Sequence, residues 1–107
     1  MKLSKNATIA PEKLYGYLLL WRPVNDKSKF LSSAGYTNEN WQTLKRDLQE
    51  QILPLEAEEI ERTKYGVVYK ISGALRGPNN KVLLIKTIWM KETVSGETKF
   101  ITLYPAK

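Results

Sequence analysis

The chain has 107 residues, 42% of them hydrophobic and 26% charged, and 17 basic against 11 acidic residues give a net charge of +6. That is enough for one packed domain and too little for two. There is no cysteine and no histidine, which excludes disulfides, thiolate nucleophiles, zinc fingers, Ser-His-Asp triads and nearly all transition-metal sites.

Residues 1–9 read as mobile or weakly extended. Pro11 suits the first position of a helix. Leu14, Tyr15, Leu18 and Leu19 then recur at helical spacing, and Pro23 restricts Arg22, predicting an end near Leu20 or Trp21. A second helix is predicted over about 27–34, capped by Asn25 or Asp26. Phe30, Leu31 and Ala34 form its buried side, and Gly35 supplies the left-handed C-terminal residue. Thr37 is a good N-cap for a third helix, with Tyr36 and Trp41 as a hydrophobic staple. Trp41, Leu44, Leu48 and Ile52 line its apolar face, and Pro54 ends it.

After Pro54 the pattern turns strand-like. A glutamate-rich edge strand is predicted over 57–63, followed by a strand over 67–75. Gly77-Pro78-Asn79-Asn80 is a turn signal. A central strand over 82–91, a loop over 93–97 and a last strand over 99–104 complete the set. The expected fold is α+β: three N-terminal helices packed on one face of a three- to four-stranded antiparallel meander, in a single domain spanning 1–107.

The charge is unevenly spread. Glu56, Glu58, Glu59 and Glu61 crowd one stretch, whereas seven basic residues and no acidic one lie between Arg62 and Lys91. Such a segment attracts polyanions, either nucleic acid or acidic protein surfaces. Strand alternation places Tyr69, Ile71, Leu75, Ile85 and Trp89 on the face under the helices. The opposite, uncovered face then carries Lys70, Arg76 and Lys86, joined by Thr102 and Tyr104. These five are the candidate phosphate- or partner-binding residues. Along the last strand, strict alternation groups Phe100 with Thr102 and Tyr104.

Other chemistries lack their residues. The glutamate cluster has no turn glycine or ligand spacing for calcium, so no metal is expected. Gly73 and Gly77 are not followed by the Lys-Ser/Thr of a nucleotide loop, and no serine stands at a known spacing from a lysine base. No cofactor is expected. The longest apolar run, Tyr17 to Trp21, is far below the ~20 residues that cross a bilayer. No apolar stretch follows the basic start, Met1 to Lys5, so neither membrane nor signal peptide is expected and cytoplasm is the default compartment.

Asn6-Ala7-Thr8-Ile9, Glu12-Lys13-Leu14 with Tyr17-Leu18-Leu19, Gly35-Tyr36-Thr37 with Trp41, Tyr65-Gly66 with Tyr69, Gly73 and Leu75 before Gly77-Pro78, Thr87-Ile88-Trp89 and Thr102 with Tyr104-Pro105 form a pattern over nearly the whole chain. In this pattern the sequence resembles a family of small bacterial domains without an assigned function, found alone and as tails of larger, toxin-like proteins. A more distant similarity in layout is to barnase-like toxin ribonucleases, which use the open face of an antiparallel sheet. Relatives often carry His-Pro where Arg22-Pro23 stands here, and arginine where Lys99 stands.

Two functions follow as expectations. One is a non-catalytic interaction module for an acidic protein partner, which fits the missing histidine. The other is an RNA-binding or metal-independent ribonuclease-like domain, with Lys86 as base, Tyr104 as acid, and Arg76 and Lys70 stabilising phosphate charge. Oligomeric state is not legible from the residues.

Overall fold

A computed structural model describes residues 1–19 and 27–106. The predicted end of the first helix at Leu20 or Trp21, the Arg22-Pro23 step and the Asn25 or Asp26 cap lie outside the described residues.

The sheet has four antiparallel strands in the order of the chain: β1 (Glu58–Arg62), β2 (Gly66–Arg76), β3 (Val82–Glu92) and β4 (Thr98–Pro105). This is the predicted meander. β2 and β3 pair in unbroken register from Gly66 opposite Glu92 to Arg76 opposite Val82, as expected of two β-branched, aromatic-rich strands joined by a short Gly-Pro-Asn-Asn turn.

The helical part differs from expectation. The chain is α+β, but it does not form three N-terminal helices. Among the described residues the α-helical segments are short: α1 (Pro11–Lys13), α2 (Lys27–Ser32) and α3 (Trp41–Asp47), and only α1 is N-terminal. Two wide π-turns, Leu14–Leu18 and Leu48–Ile52, take up much of the expected helix. They are closed by Leu19 N–H donating to Leu14 O at 2.8 Å and Leu53 N–H to Leu48 O at 2.9 Å.

The reason lies in packing. An α-turn aligns positions three and four apart. Here Leu14, Leu18 and Leu19 are all buried, as are Leu48, Ile52 and Leu53. A bond five residues long admits one extra residue into the turn, so both members of each adjacent pair, Leu18-Leu19 and Ile52-Leu53, face the core.

Gly35 ends the α2 region with φ +96°, the left-handed conformation glycine adopts without steric cost. Thr37 precedes a short 3₁₀ turn, Asn38–Asn40, and its N–H donates to Asn40 Oδ1 at 2.7 Å. Tyr36 turns inward and its hydroxyl donates to Asp47 Oδ2 at 2.6 Å, with Arg76 O 3.1 Å away. Trp41 packs on Tyr15, ring centroids 5.5 Å apart.

The first nine residues, read above as mobile or weakly extended, place Leu3, Ala7 and Ile9 in the core. Thr8 bridges β4 in parallel, with its N–H on Thr98 O and its carbonyl on Phe100 N–H, both at 2.8 Å. Trp89 is the largest fully buried side chain among the described residues. It meets Phe100 edge to face at 5.2 Å, and its indole N–H donates at 2.7 Å to Thr87 Oγ1, which itself donates to Ile71 O. That chain satisfies the fully buried Thr87 hydroxyl and Trp89 indole together.

Candidate functional site

Register decides which side chains share the face turned away from the core, because directly paired residues point the same way. Lys86 stands in the middle of this face, opposite Ser72 on one side and Tyr104 on the other. The next row holds Glu58, Lys70, Ile88 and Thr102, and the one beyond it holds Glu61, Val68, Met90 and Lys99. In the other direction Ala74 pairs with Leu84 and Arg76 with Val82.

The structure therefore brings Lys70, Lys86 and Tyr104 onto adjacent rows. Arg76 is on the same face but at its far end. Six residues of strand separate it from Lys70, about 20 Å at strand rise. Thr102 shares the row of Lys70 and Ile88 with its hydroxyl already engaged. Its hydroxyl accepts a hydrogen bond from Lys27 Nζ at 3.0 Å, and the same ammonium lies 5.5 Å from the centroid of the Tyr17 ring.

A bulge corrects the expected grouping of Phe100 with Thr102 and Tyr104. Trp89 pairs with Phe100 but Ile88 pairs with Thr102, so Ile101 is an extra residue in β4. It lets Phe100 and Leu103 both enter the core, leaving Tyr104 beside Lys86 on the other face.

Charge on the face is partly compensated. Lys70 Nζ is 3.9 Å from Glu58 Oε1, and Lys99 Nζ lies 3.2 Å from Glu92 and 3.9 Å from Glu97. The Ser95 hydroxyl and the Lys99 ammonium hold the Glu92 carboxyl below its usual range. Among the described residues neither Lys86 nor Arg76 has an ion-pair partner.

Apolar groups surround these cations. Leu84 is 61% exposed and Val82 46%, with half-buried Val68, Ile88 and Met90 on the same side. A small basic domain leaves such residues in water at a cost unless something covers them. Strand alternation puts Val82, Leu84, Ile88 and Met90 on the same side as Lys86.

Sequence reasoning missed a second feature. Ala10, Glu12, Lys13, Tyr17, Lys27, Ile101 and Thr102 line an open groove of about 580 Å³ beside β4. No spacing signals it, because tertiary packing alone sets α1 and α2 against the strand.

No helix among the described residues is long and apolar enough to cross a membrane. No curated protein and no solved structure matches the chain. A family match does, over residues 2–107, and the chain belongs to that family, described as a domain of unknown function (DUF6883).

Proposed function

We propose that this domain is a non-catalytic interaction module whose open sheet face binds an acidic protein surface. The observation that carries the reading is the setting of Lys86, a cation without an ion-pair partner among the described residues, amid exposed Leu84 and half-buried Ile88 and Met90. Protein interfaces combine an apolar centre with a few charges that select the partner.

Two features favour protein over RNA. Single-stranded nucleic acid is gripped by aromatic rings that stack successive bases, and register gives this face one ring, Tyr104. Phosphate transfer needs cations and a proton donor and acceptor converging on one phosphorus. Arg76 stands about 20 Å along the strand from Lys70, and the Thr102 hydroxyl is engaged by Lys27.

The test is fluorescence anisotropy with two labelled probes, a peptide mixing glutamate and leucine and a short single-stranded RNA. The peptide is expected to bind in a salt-sensitive way, and Leu84→Ser and Lys86→Glu each to weaken it about tenfold, a change of 1.4 kcal/mol. RNA binding that is tighter than peptide binding and indifferent to Leu84→Ser, or RNA cleavage lost in Lys86→Ala, would overturn the reading.

A further inference from the structure

β1 covers only part of β2. Its pairing stops at Glu58 opposite Lys70, while β2 runs on to Arg76. Residues 71–76 therefore form an edge of the sheet. At its far end the side-chain amide of Gln51 takes the place of a neighbouring strand: Arg76 N–H donates to Gln51 Oε1 at 2.7 Å and Gln51 Nε2 donates to Arg76 O at 3.0 Å. These bonds fix the parity of the strand. Like Arg76, Ser72 and Ala74 turn their N–H and C=O outward, whereas Gly77 N–H bonds inward to Lys81 O. Among the described residues nothing bonds the four outward groups of Ser72 and Ala74.

Unpaired strand edges are templates for another strand, and proteins commonly blunt them with charge. This edge carries its charges only at the ends, Lys70 and Arg76, with small Ser72, Gly73 and Ala74 between. Beneath it lies an apolar shelf. A methyl group on Gly73 would come within 2.5 Å of Leu55 Cδ1, and Leu55 is 37% exposed.

From this juxtaposition we infer that the Ile71–Arg76 edge takes an extended acidic segment of another protein as an added antiparallel strand. The inference rests on the partner reading above and specifies how that partner is held. Residues opposite Ser72 and Ala74 project on the open side, diagonal to Lys70 and Arg76, where carboxylates are favoured. The residue between them, opposite Gly73, points down to Leu55 and must be apolar. The pattern required is acidic, apolar, acidic, held by main-chain bonds as in other strand additions. A second copy of this chain fits poorly, because a two-fold axis at Gly73 would set Arg76 of the other copy opposite Lys70, where Glu58 of β1 already stands.

The experiment titrates ¹⁵N-labelled full chain with a capped peptide of alternating glutamate and valine, and with its glutamate-to-lysine counterpart. The acidic peptide is expected to slow hydrogen exchange at the Ser72 and Ala74 amides about tenfold or more, and the lysine peptide to leave both unchanged. Ala74→Pro removes one outward N–H while sparing the β2–β3 ladder, and is expected to abolish that protection with the Trp89 indole signal in place. Arg76→Glu leaves the backbone groups intact and is expected to weaken the acidic peptide; should the proline variant fail to fold, this substitution and the wild-type exchange data decide. Peptide shifts confined to Leu84, Lys86 and Tyr104, without protection at Ser72 and Ala74, would overturn the edge while leaving the face reading intact. Failure of the glutamate–valine peptide while the glutamate–leucine probe still binds would do the same. Concentration-dependent dimerisation that protects these two amides without peptide would also overturn it.

Discussion

The two sides of one sheet are built from alternate residues of the same strands, yet they obey different rules. On the inner side Ile71, Leu75, Ile85, Trp89 and Leu103 are sealed, and the Trp89 indole N–H has its partner in the Thr87 hydroxyl. On the outer side residues of similar hydropathy, Val82 and Leu84, stand in water next to cations. Burial within the chain accounts for the first set and not for the second. The difference teaches that core packing explains the apolar residues on one side of this sheet only, and it is the other side that the proposed contact would use.

Substitutions can break that contrast. Trp89→Ala, on the inner side, is expected to cost about 3–5 kcal/mol through lost contact and a cavity, read as a lower urea midpoint; a shift as small as that of an outer residue would erase the distinction. Tyr36→Phe strips Asp47 of its short hydroxyl bond and is expected to cost about 1–3 kcal/mol. It also has an alkaline signature. Burial and the Asp47 carboxylate push the Tyr36 hydroxyl well above its ordinary value of 10.0. Its contribution is thus complete below pH 10, where the unfolded chain also holds the proton, and fades as pH rises beyond it. Thermal melts above pH 10 should fall less steeply in Tyr36→Phe than in the native sequence.

Leu84→Ser, on the outer side, is expected to move stability by no more than about 0.5 kcal/mol while weakening the acidic probe; a loss as large as that of Trp89→Ala would show that this side is structural. The smallest effect is that of Glu92→Gln. The Glu92 carboxyl is held below its ordinary value of 4.5, so its contribution is present above that pH and is lost as the solution becomes more acid. The variant should show a slightly flatter stability profile below pH 4.5.

Strands were more legible than helices, and for a physical reason. Alternation along 66–76 and 82–92 is a local property that both neighbours reinforce, so Tyr69, Ile71, Ile85 and Trp89 declare their side directly. The π-turns at Leu14 and Leu48 are not local. Leu18-Leu19 and Ile52-Leu53 are each adjacent apolar pairs, and only the sheet beneath them determines that both members turn inward. The extra residue Ile101 is likewise silent, since β-branched chains suit either side of a strand. Of the proposed contact residues, Lys70, Lys86 and Tyr104 gather as alternation suggested. The Thr102 hydroxyl is engaged by Lys27, seventy-five positions away in sequence, which no local pattern signals. The bare stretch of β2 was hidden for the same reason, because strand lengths, unlike strand identities, are set by where a partner stops.

The Arg76 carbonyl is approached by both the Tyr36 hydroxyl and the Gln51 amide. Two different segments thus anchor the end of β2 before anything arrives there. An incoming chain would find a rail already stiff at one end, with little freedom left for it to freeze out. Loosening either anchor should then slow capture of a visitor without altering a single atom that touches it.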